Sequence, residues 1–197
     1  AAEMEIETVM VAPADDEACL HTQRGDTFFK LEGQGAAAYL DIDQLVAVAK
    51  RESCDAVHPG YGFLSESAAF ATACAEADLK FVGPTPKQLE LLGDKLAARK
   101  IAFDLGVPIL RGTTAVATPT EAKALLADLP AGTQLMVKAV AGGGGRGMRT
   151  IDTASDIDQT FERCAKEAEA FFGSPDLYLE TRVEHARHLE VQIVGDG

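Results

Sequence analysis

The sequence lacks the usual marks of a zinc-binding, disulfide-stabilised, membrane-spanning or nucleic-acid-binding protein. Its four cysteines include no C-x-x-C pair, which argues against a metal knuckle and a disulfide framework. No apolar run has the length of a membrane span, and no basic segment followed by an apolar one opens the chain. With 18 basic against 31 acidic residues, the formal net charge of −13 disfavours non-specific binding to nucleic acid. We therefore expect a protein of the cytoplasm or, in a eukaryote, of the mitochondrial matrix, with no nucleic-acid or membrane partner.

What is present is typical of a globular protein with one large or two small domains. Of the 197 residues, 47% are hydrophobic and 25% are charged. The first part of the chain alternates short apolar runs, typical of strands, with helical patterns. We predict strands over 7–12, 55–60 (buried) and 79–84, and helices over 41–54, capped by Asp41 or Asp43, and 65–77. This alternation predicts a parallel α/β sheet that binds ligands at the carboxyl ends of its strands.

The rest of the chain predicts a second unit of helices and strands. Two successive helices over 86–93 and 94–105 come first, and the second ends before Gly106, which takes the C′ position. A helix over 118–129 begins with a capping box at Thr118. The remaining predicted elements are strands over 134–140 and 147–151, a helix over 155–173, and strands over 177–183 and 188–195.

The stretch VKAVAGGGGRGMRTI (137–151) places a lysine before four consecutive glycines, an arginine and a fifth glycine. It satisfies G-x-G-x-x-G, but the dinucleotide fingerprint needs a helix after the glycines, and MRTI is typical of a strand. It does not satisfy G-x-x-x-x-G-K-[ST], because Lys138 precedes the glycines. We therefore predict a β-hairpin whose glycine backbone lies on a ligand and turns N–H groups toward phosphate oxygens, with Lys138 adding a positive charge.

Five segments carry a family resemblance: HPGYGFLSE (58–66), FVGP (81–84), LLGDK (91–95), VKAVAGGGGRGM (137–148) and LYLETRVEHARHLEVQIVGDG (177–197). Together they resemble the biotin carboxylase family of the ATP-grasp superfamily, in register from about Asp41 onward. The resemblance implies an α/β fold, with a partial Rossmann-like (pre-ATP-grasp) parallel-sheet domain followed by an α+β ATP-grasp lid subdomain. It also implies the family's activity, in which ATP activates bicarbonate as carboxyphosphate and biotin on a carrier domain is then carboxylated.

The resemblance also assigns ligand-binding residues. Lys95 and Lys138 would contact the ATP phosphates, and His188 would lie near the ribose. The lid loop over the phosphates would comprise Gly142, Gly143, Gly144, Gly145, Arg146 and Gly147, and the hinge facing adenine would comprise Glu180, Thr181, Arg182 and Val183. The family usually has lysine at position 181, and Thr181 matters little if backbone groups recognise adenine. Two lysines and a ring of N–H groups suit phosphoryl transfer, which depends mainly on positioning and charge neutralisation.

The resemblance further implies the domain organisation: 1–84 for the N-terminal domain, 85–109 for a helical linker, 110–182 for the lid subdomain and 183–197 for the start of the catalytic domain. The family's metal-binding glutamates and carboxylation motifs have no counterpart here, so no catalytic or metal-binding residue is assigned. We expect part of a larger ligase, inactive alone, that uses ATP with Mg²⁺ or Mn²⁺, bicarbonate, and biotin on a carboxyl carrier domain. A carboxyltransferase domain or subunit and a homo-oligomeric parent are also implied.

Three alternatives to this interpretation differ in what they require. Another ATP-grasp ligase, of the carbamoyl phosphate synthetase type, is disfavoured by HPGYGFLSE, which distinguishes the biotin carboxylases. A non-catalytic nucleotide-binding module would bind ATP tightly by itself. A dinucleotide-dependent oxidoreductase would need a helix directly after Gly147. The final acceptor of the carboxyl group, such as an acyl-CoA or pyruvate, is not encoded in these residues.

Overall fold

The computed structural model describes residues 1–141 and 147–195, and packing divides the chain into two compact units, Ala1–Gly93 and Asp94–Gly197. The division falls inside the segment that the sequence predicts as a linker, while the finer domain boundaries stay predictions. Both units mix helices with strands, as an α/β protein does. In the described ranges, no helix combines the length and the apolar character needed to cross a membrane.

The first unit holds two separate parallel ladders. Strand β1 (Val9–Ala12) pairs with β2 (Thr27–Lys30), and β3 (Ala56–Val57) pairs with β4 (Lys80–Phe81). Parallel pairing is the geometry that alternating strands and helices predict. The sequence patterns gave no sign of β2. The short strand predicted over 55–60 is found at Ala56–Val57, but its predicted burial is wrong: the two residues are exposed and half-exposed, because β4 is the one strand beside β3 among the described residues.

Besides three short 3₁₀ helices, the first unit contains four α-helices: α1 (Gly35–Tyr39), α2 (Ile42–Arg51), α3 (Ala68–Glu76) and α4 (Pro86–Gly93). Of the two predicted caps for α2, the structure uses Asp41, whose carboxylate accepts a hydrogen bond from the Gln44 N–H at 3.0 Å. Helices α2 and α3 pack with the β3–β4 ladder around a core of Ala49, Leu64, Phe70, Cys74 and Leu79. The helices that the sequence predicts over 41–54 and 65–77 are therefore the helices that pack on this ladder.

The second unit begins with α5 (Lys95–Asp104). The side chain of Asp94 caps this helix by accepting hydrogen bonds from two N–H groups of its first turn, and Gly106 follows its end as predicted. Helix α6 (Pro119–Ala127) has the predicted capping box at its start. The described residues that follow form β5 (Leu135–Ala139), β6 (Met148–Ile151), a 3₁₀ turn (Ala154–Asp156), α7 (Ile157–Phe172) and β7 (Leu177–Thr181).

These last three strands form one antiparallel sheet in the order β6-β5-β7. Leu135 on β5 lies opposite Ile151 on β6 and Thr181 on β7, which defines the register. The pairing of β5 with β6 confirms the predicted hairpin, although the connecting residues 142–146 lie outside the described part of the chain. Residues 148–151 form a strand and not a helix, so the dinucleotide-binding hypothesis is wrong.

The predicted strand over 188–195 is not formed. Residues 182–195 contain neither helix nor strand, and Leu189, Val191 and Ile193 are 79%, 80% and 78% exposed. Alternating apolar residues form a strand only where a neighbouring strand shares their backbone hydrogen bonds, and none does so in the described ranges. The alternation at 188–195 therefore predicted a strand that has no partner here.

Candidate functional site

The two faces of the β6-β5-β7 sheet differ because side chains alternate along each strand. Leu135, Val137 and Leu179 point to the side covered by α7 and are fully buried. The residues between them on β5 and β7 point the other way, as the register requires. They form a polar face, which we define as Met136, Lys138, Tyr178 and Glu180.

A carboxylate joins two cations on the polar face. One oxygen of Glu180 accepts a hydrogen bond from the Arg99 guanidinium at 2.5 Å, and the other accepts one from the Lys138 ammonium. The Glu180 and Arg99 side chains are only 12% and 10% exposed, whereas the Lys138 side chain is 27% exposed. Two positive charges and one negative charge leave this cluster with one net positive charge. Lys138 is its most accessible member.

Helix α5 supplies Arg99, which the sequence analysis did not single out. Its Nε donates to the Thr113 carbonyl at 3.1 Å and its Nη2 to the Leu110 carbonyl at 2.8 Å, so these two carbonyls and Glu180 fix the guanidinium. One signal could have found it. Arg99 lies four residues after Lys95, and residues at that spacing share a helix face.

Lys95 reaches the entrance of the glycine loop. It is the first residue of α5, and its ammonium donates to the Val140 carbonyl at 3.4 Å. Val140 directly follows β5, so this contact lies next to the strand that carries Lys138. The Asp94 cap fixes where the helix begins and thereby where Lys95 lies. The two predicted phosphate-binding lysines are therefore both found near the end of β5.

Gly112 allows a neighbouring segment to pass close to Glu180. A Cβ at Gly112 would lie 2.1 Å from the Leu179 carbonyl oxygen and 3.0 Å from the Glu180 Cα. The next residue, Thr113, donates its N–H to that same Leu179 carbonyl at 2.9 Å. Strand β7 is thus hydrogen-bonded on both edges, by β5 and by the segment around Gly112, and this double pairing fixes the position of Glu180.

Tyr178 belongs to the polar face but is buried, with 4% of its surface exposed. Burial raises the pKa of its hydroxyl to about 12, and the negative charge of Glu180 contributes to the rise while Arg99 opposes it. The hydroxyl is therefore neutral at physiological pH. The charges of Lys138 and Glu180 accordingly lie beside a neutral, closely packed ring.

Most of the predicted lid loop lies outside the described residues: Gly142, Gly143, Gly144, Gly145 and Arg146. Gly147 is described, and it is buried with a φ of +64°. Its carbonyl accepts a hydrogen bond from the Ala139 N–H at 2.8 Å, and a Cβ there would lie 3.0 Å from the Ala139 Cβ. Glycine is therefore needed at the point where the loop joins β6.

Two of the predicted hinge residues use their N–H groups within the protein. Thr181 donates to the Arg111 carbonyl at 2.7 Å, and Arg182 donates to the Gln134 carbonyl at 2.8 Å. The Arg182 guanidinium also donates to the Gln134 side chain at 2.5 Å. A base bound at this hinge would therefore contact other groups of the segment.

Val183 and His188 lie past the end of β7. Val183 is 51% exposed, and the His188 side chain is 87% exposed with its Nε2 3.9 Å from a Glu190 carboxylate oxygen. No hydrogen bond or ion pair among the described residues joins either of them to Lys138 or Glu180. The structure therefore links Lys138 with Glu180 and places Lys95 next to the end of β5, without such a bond from Val183 or His188 to Lys138 or Glu180.

The described residues offer cationic groups but no protein site for a metal. In residues 1–141 and 147–195, no group of three or more His, Cys, Asp or Glu side chains is arranged to hold a metal ion. Magnesium in nucleotide sites is commonly held by one or two carboxylates together with the phosphates of the substrate. These residues can therefore bind and orient an anion, and we assign no metal-dependent step to them.

Two family models match the chain in succession. The first is described as biotin carboxylase, N-terminal domain, and matches residues 1–89. The second is described as carbamoyl-phosphate synthase L chain, ATP binding domain, and matches residues 94–197. The chain belongs to the biotin carboxylase family. The resemblance that the sequence motifs carry is confirmed, and the two matches adjoin at the boundary between the two compact units.

Longer carboxylases are similar to this chain over nearly its whole length. The pyruvate carboxylase of Staphylococcus aureus is 39% identical over an alignment of 198 positions, which covers 100% of this chain and 17% of that protein. The mitochondrial pyruvate carboxylase of Homo sapiens is 42% identical over an alignment of 197 positions, which covers 98% of this chain and 17% of that protein. This chain thus spans less than a fifth of the length of these relatives.

A solved structure confirms the fold of this chain. The biotin carboxylase domain of Hydrogenobacter thermophilus 2-oxoglutarate carboxylase matches with a TM-score of 0.86 at 32% identity, covering 93% of this chain and 40% of that one. That domain is a dimer in complex with MgADP, ADP and bicarbonate. The α/β fold predicted from the motifs is therefore the fold that the structure has.

Proposed function

We propose that this chain is the ATP-binding part of an ATP-dependent ligase that carboxylates biotin on a carrier domain with bicarbonate. One observation carries the proposal: Lys138 lies on the polar face in a cluster with Glu180 and Arg99, and Lys95 reaches the adjoining entrance of the glycine loop. A net positive cluster in a chain of net charge −13 is a local exception. Placed cations of this kind are what an anionic ligand requires in an acidic protein.

The chemistry of phosphoryl transfer agrees with these groups. The transferred group spreads its charge over several oxygens, so that positioning and charge neutralisation provide most of the catalysis. The ammonium groups of Lys95 and Lys138 would neutralise phosphate oxygens, and backbone N–H groups of loop 142–147 would add donors. The hinge 180–183 would lie along the adenine, and His188 would contact the ribose.

The proposal implies partners outside these residues. The 2-oxoglutarate carboxylase domain binds a nucleotide, magnesium and bicarbonate. We extend these three ligands to the protein that contains this chain, with Mn²⁺ as an alternative to magnesium. A biotin carboxyl carrier domain would present the biotin, and a carboxyltransferase domain or subunit would pass the carboxyl group to pyruvate or an acyl-CoA. We propose a homo-oligomer of the cytoplasm or mitochondrial matrix.

Isothermal titration calorimetry with ATP and Mg²⁺ tests the proposal, on the chain and on the longer protein that contains it. Lys138→Ala is expected to weaken ATP binding at least about tenfold, because it removes a charged hydrogen-bond donor worth about 1.5–3 kcal/mol. The control is Lys123→Ala on α6. Lys123 is a half-exposed lysine whose described ionic partner is Asp158, and its loss is expected to leave the affinity unchanged.

Each outcome of the titration has a distinct meaning. Binding that depends on Lys138 and is tight only in the longer protein would support an ATP site completed by residues outside this chain. Tight binding by the chain alone would favour a self-sufficient nucleotide-binding module. ATP binding that is equally tight in Lys138→Ala and the wild type would contradict the proposal.

An ATP-grasp ligase of the carbamoyl phosphate synthetase type is a second candidate, because residues 94–197 match a family model of that name. The match of residues 1–89 to the biotin carboxylase N-terminal domain favours the first proposal. Phosphate release by the longer protein separates the two. We expect bicarbonate-dependent ATP cleavage that free biotin stimulates, whereas cleavage indifferent to biotin would favour the alternative.

A further inference from the structure

The Glu180 carboxylate is shared between two cations of unequal freedom. Arg99 is 10% exposed and also donates to the Leu110 and Thr113 carbonyls, so its guanidinium is held in place. Lys138 is 27% exposed, and its described partner is the second oxygen of Glu180. An approaching anion can therefore draw Lys138 away from Glu180 more easily than it can move Arg99.

The charge of Arg99 determines how much net positive charge an approaching ligand meets. With Arg99 in place, the carboxylate of Glu180 is already compensated when Lys138 turns to a ligand. Without Arg99, Lys138 would leave an uncompensated and largely buried carboxylate, which is costly. The net charge of the cluster would also fall from one positive charge to none.

We propose that Arg99 is a positioning residue for the anion site: by compensating Glu180, it keeps the positive charge of Lys138 available to a polyphosphate ligand. That the ligand is a polyphosphate rests on the proposed function. That Arg99 and Lys138 share the carboxylate of Glu180 rests on the geometry of the cluster itself. Arg99 acts through Glu180 and touches no ligand in this scheme. Its fixed guanidinium is suited to the task, because arginine donates in several directions from one rigid plane.

A purely structural role for Arg99 would have different consequences. Its hydrogen bonds also connect α5 to the segment before α6, and losing them would lower stability whatever happens to the charge at Lys138. The decisive quantity is therefore the local charge at Lys138, measured separately from stability. Two acylating reagents of the same reactivity and different charge provide that measurement.

The experiment compares acetylation of Lys138 by anionic sulfosuccinimidyl acetate and by neutral succinimidyl acetate, in the full 197-residue chain at low salt. Peptide mass spectrometry gives the rate at Lys138 for each reagent, normalised to the rate at Lys123. The ratio of the anionic to the neutral rate reports local charge, because changes in amine reactivity or accessibility affect both reagents.

The cluster predicts an order of this ratio in four proteins. Glu180→Gln carries two net positive charges and has the highest ratio. The wild type and the double variant Arg99→Met/Glu180→Gln carry one charge and have similar ratios. Arg99→Met carries none, and its ratio falls at least about threefold below the wild type. A purely structural role for Arg99 would not restore the ratio in the double variant, so this recovery distinguishes the two explanations.

Two results would overturn the inference: a ratio unchanged by Arg99→Met, or a lowered ratio that Glu180→Gln does not restore. If Arg99→Met does not fold, Arg99→Gln replaces it, since its amide keeps a side-chain donor near the position of the arginine Nε and removes the charge. ATP protection of Lys138 against both reagents is measured in parallel in the longer protein that contains this chain, where the proposed ATP site is complete. The predicted order without ATP protection would contradict the proposed function and leave the charge sharing supported.

Discussion

The two faces of the sheet in the second unit carry opposite chemistry on the same strands. One face buries Val137 and Leu179 completely against α7, while the other holds Lys138 and Glu180 in an ion-pair cluster with Arg99. Because neighbouring residues of a strand point to opposite faces, each of these charged residues is the immediate neighbour of a fully buried apolar one. The same short strands therefore provide both stability and the candidate site, through alternate residues.

This comparison predicts that the two properties can be changed separately. Substitutions on the apolar face should act on the free energy of unfolding, because they remove buried contacts. Substitution of Lys138 on the polar face should act mainly on anion binding, because its side chain is partly exposed and Glu180 keeps Arg99 as a partner without it.

Leu179→Ala is expected to have the largest effect on stability. Leu179 is fully buried in the core that joins the sheet to α6 and α7, and such substitutions cost about 2–5 kcal/mol. Urea unfolding of the chain measures the loss. Leu189→Ala is the matched control, since Leu189 is 79% exposed and should change stability by less than about 0.5 kcal/mol. The division between faces would be wrong if Lys138→Ala destabilised the chain as much as Leu179→Ala.

Gly112→Ala is expected to affect both faces at once, with a smaller loss of about 1–3 kcal/mol. The new methyl group would meet the Leu179 carbonyl oxygen at 2.1 Å, so β7 or the segment beside it must move. Because Glu180 follows Leu179, that movement should also displace the carboxylate from Arg99. Urea unfolding and the acetylation ratio at Lys138 measure the two effects.

Gly93→Ala is the control for Gly112→Ala, since a Cβ at Gly93 meets nothing within 4 Å. It should leave the acetylation ratio at Lys138 unchanged. A Gly112→Ala protein with wild-type stability and a wild-type ratio would show that the close approach at Gly112 does not position Glu180.

The sequence predicts local features of this fold well. The caps at Asp41 and Thr118 and the β5–β6 hairpin depend on residues close together in the chain, and the structure confirms each of them. Sequence patterns fail for strands whose partner strands lie far away along the chain. The pairing of Thr27–Lys30 with β1 was missed, and the strand predicted over 188–195 has no partner among the residues that the structure describes, because periodicity shows a possible strand but not its neighbour.

The residues of the candidate site also divide into those that local sequence patterns predict and those that depend on distant contacts. Lys138 was predicted from the loop that follows it, and Lys95 from the LLGDK motif. Arg99 and Gly112 were not predicted, because their importance comes from contacts with Glu180, which for Arg99 lies 81 residues further along the chain. A local pattern cannot show that such residues meet. A four-residue spacing from Lys95 was the one local signal for Arg99.

The smallest predicted effect concerns Tyr178, which belongs to the polar face by register but is buried like the apolar one. Burial, together with the charge of Glu180, raises the pKa of its hydroxyl to about 12 from the ordinary value of 10.0. A raised pKa in the folded state means that the contribution of this group to stability is complete below pH 10 and is lost as the pH rises toward 12.

Tyr178→Phe removes the hydroxyl, so this variant does not undergo the loss of stability that ionisation of the hydroxyl causes at high pH. The difference in free energy of unfolding between the wild type and Tyr178→Phe should be constant from pH 7 to 9. Above pH 10 the wild type should become progressively less stable relative to Tyr178→Phe. Urea unfolding at each pH measures it, and the absorbance difference at the phenolate band should show a midpoint near pH 12. A midpoint near pH 10 would mean that Tyr178 is solvated in solution, and the polar face would then be more open than its packing against Glu180 indicates.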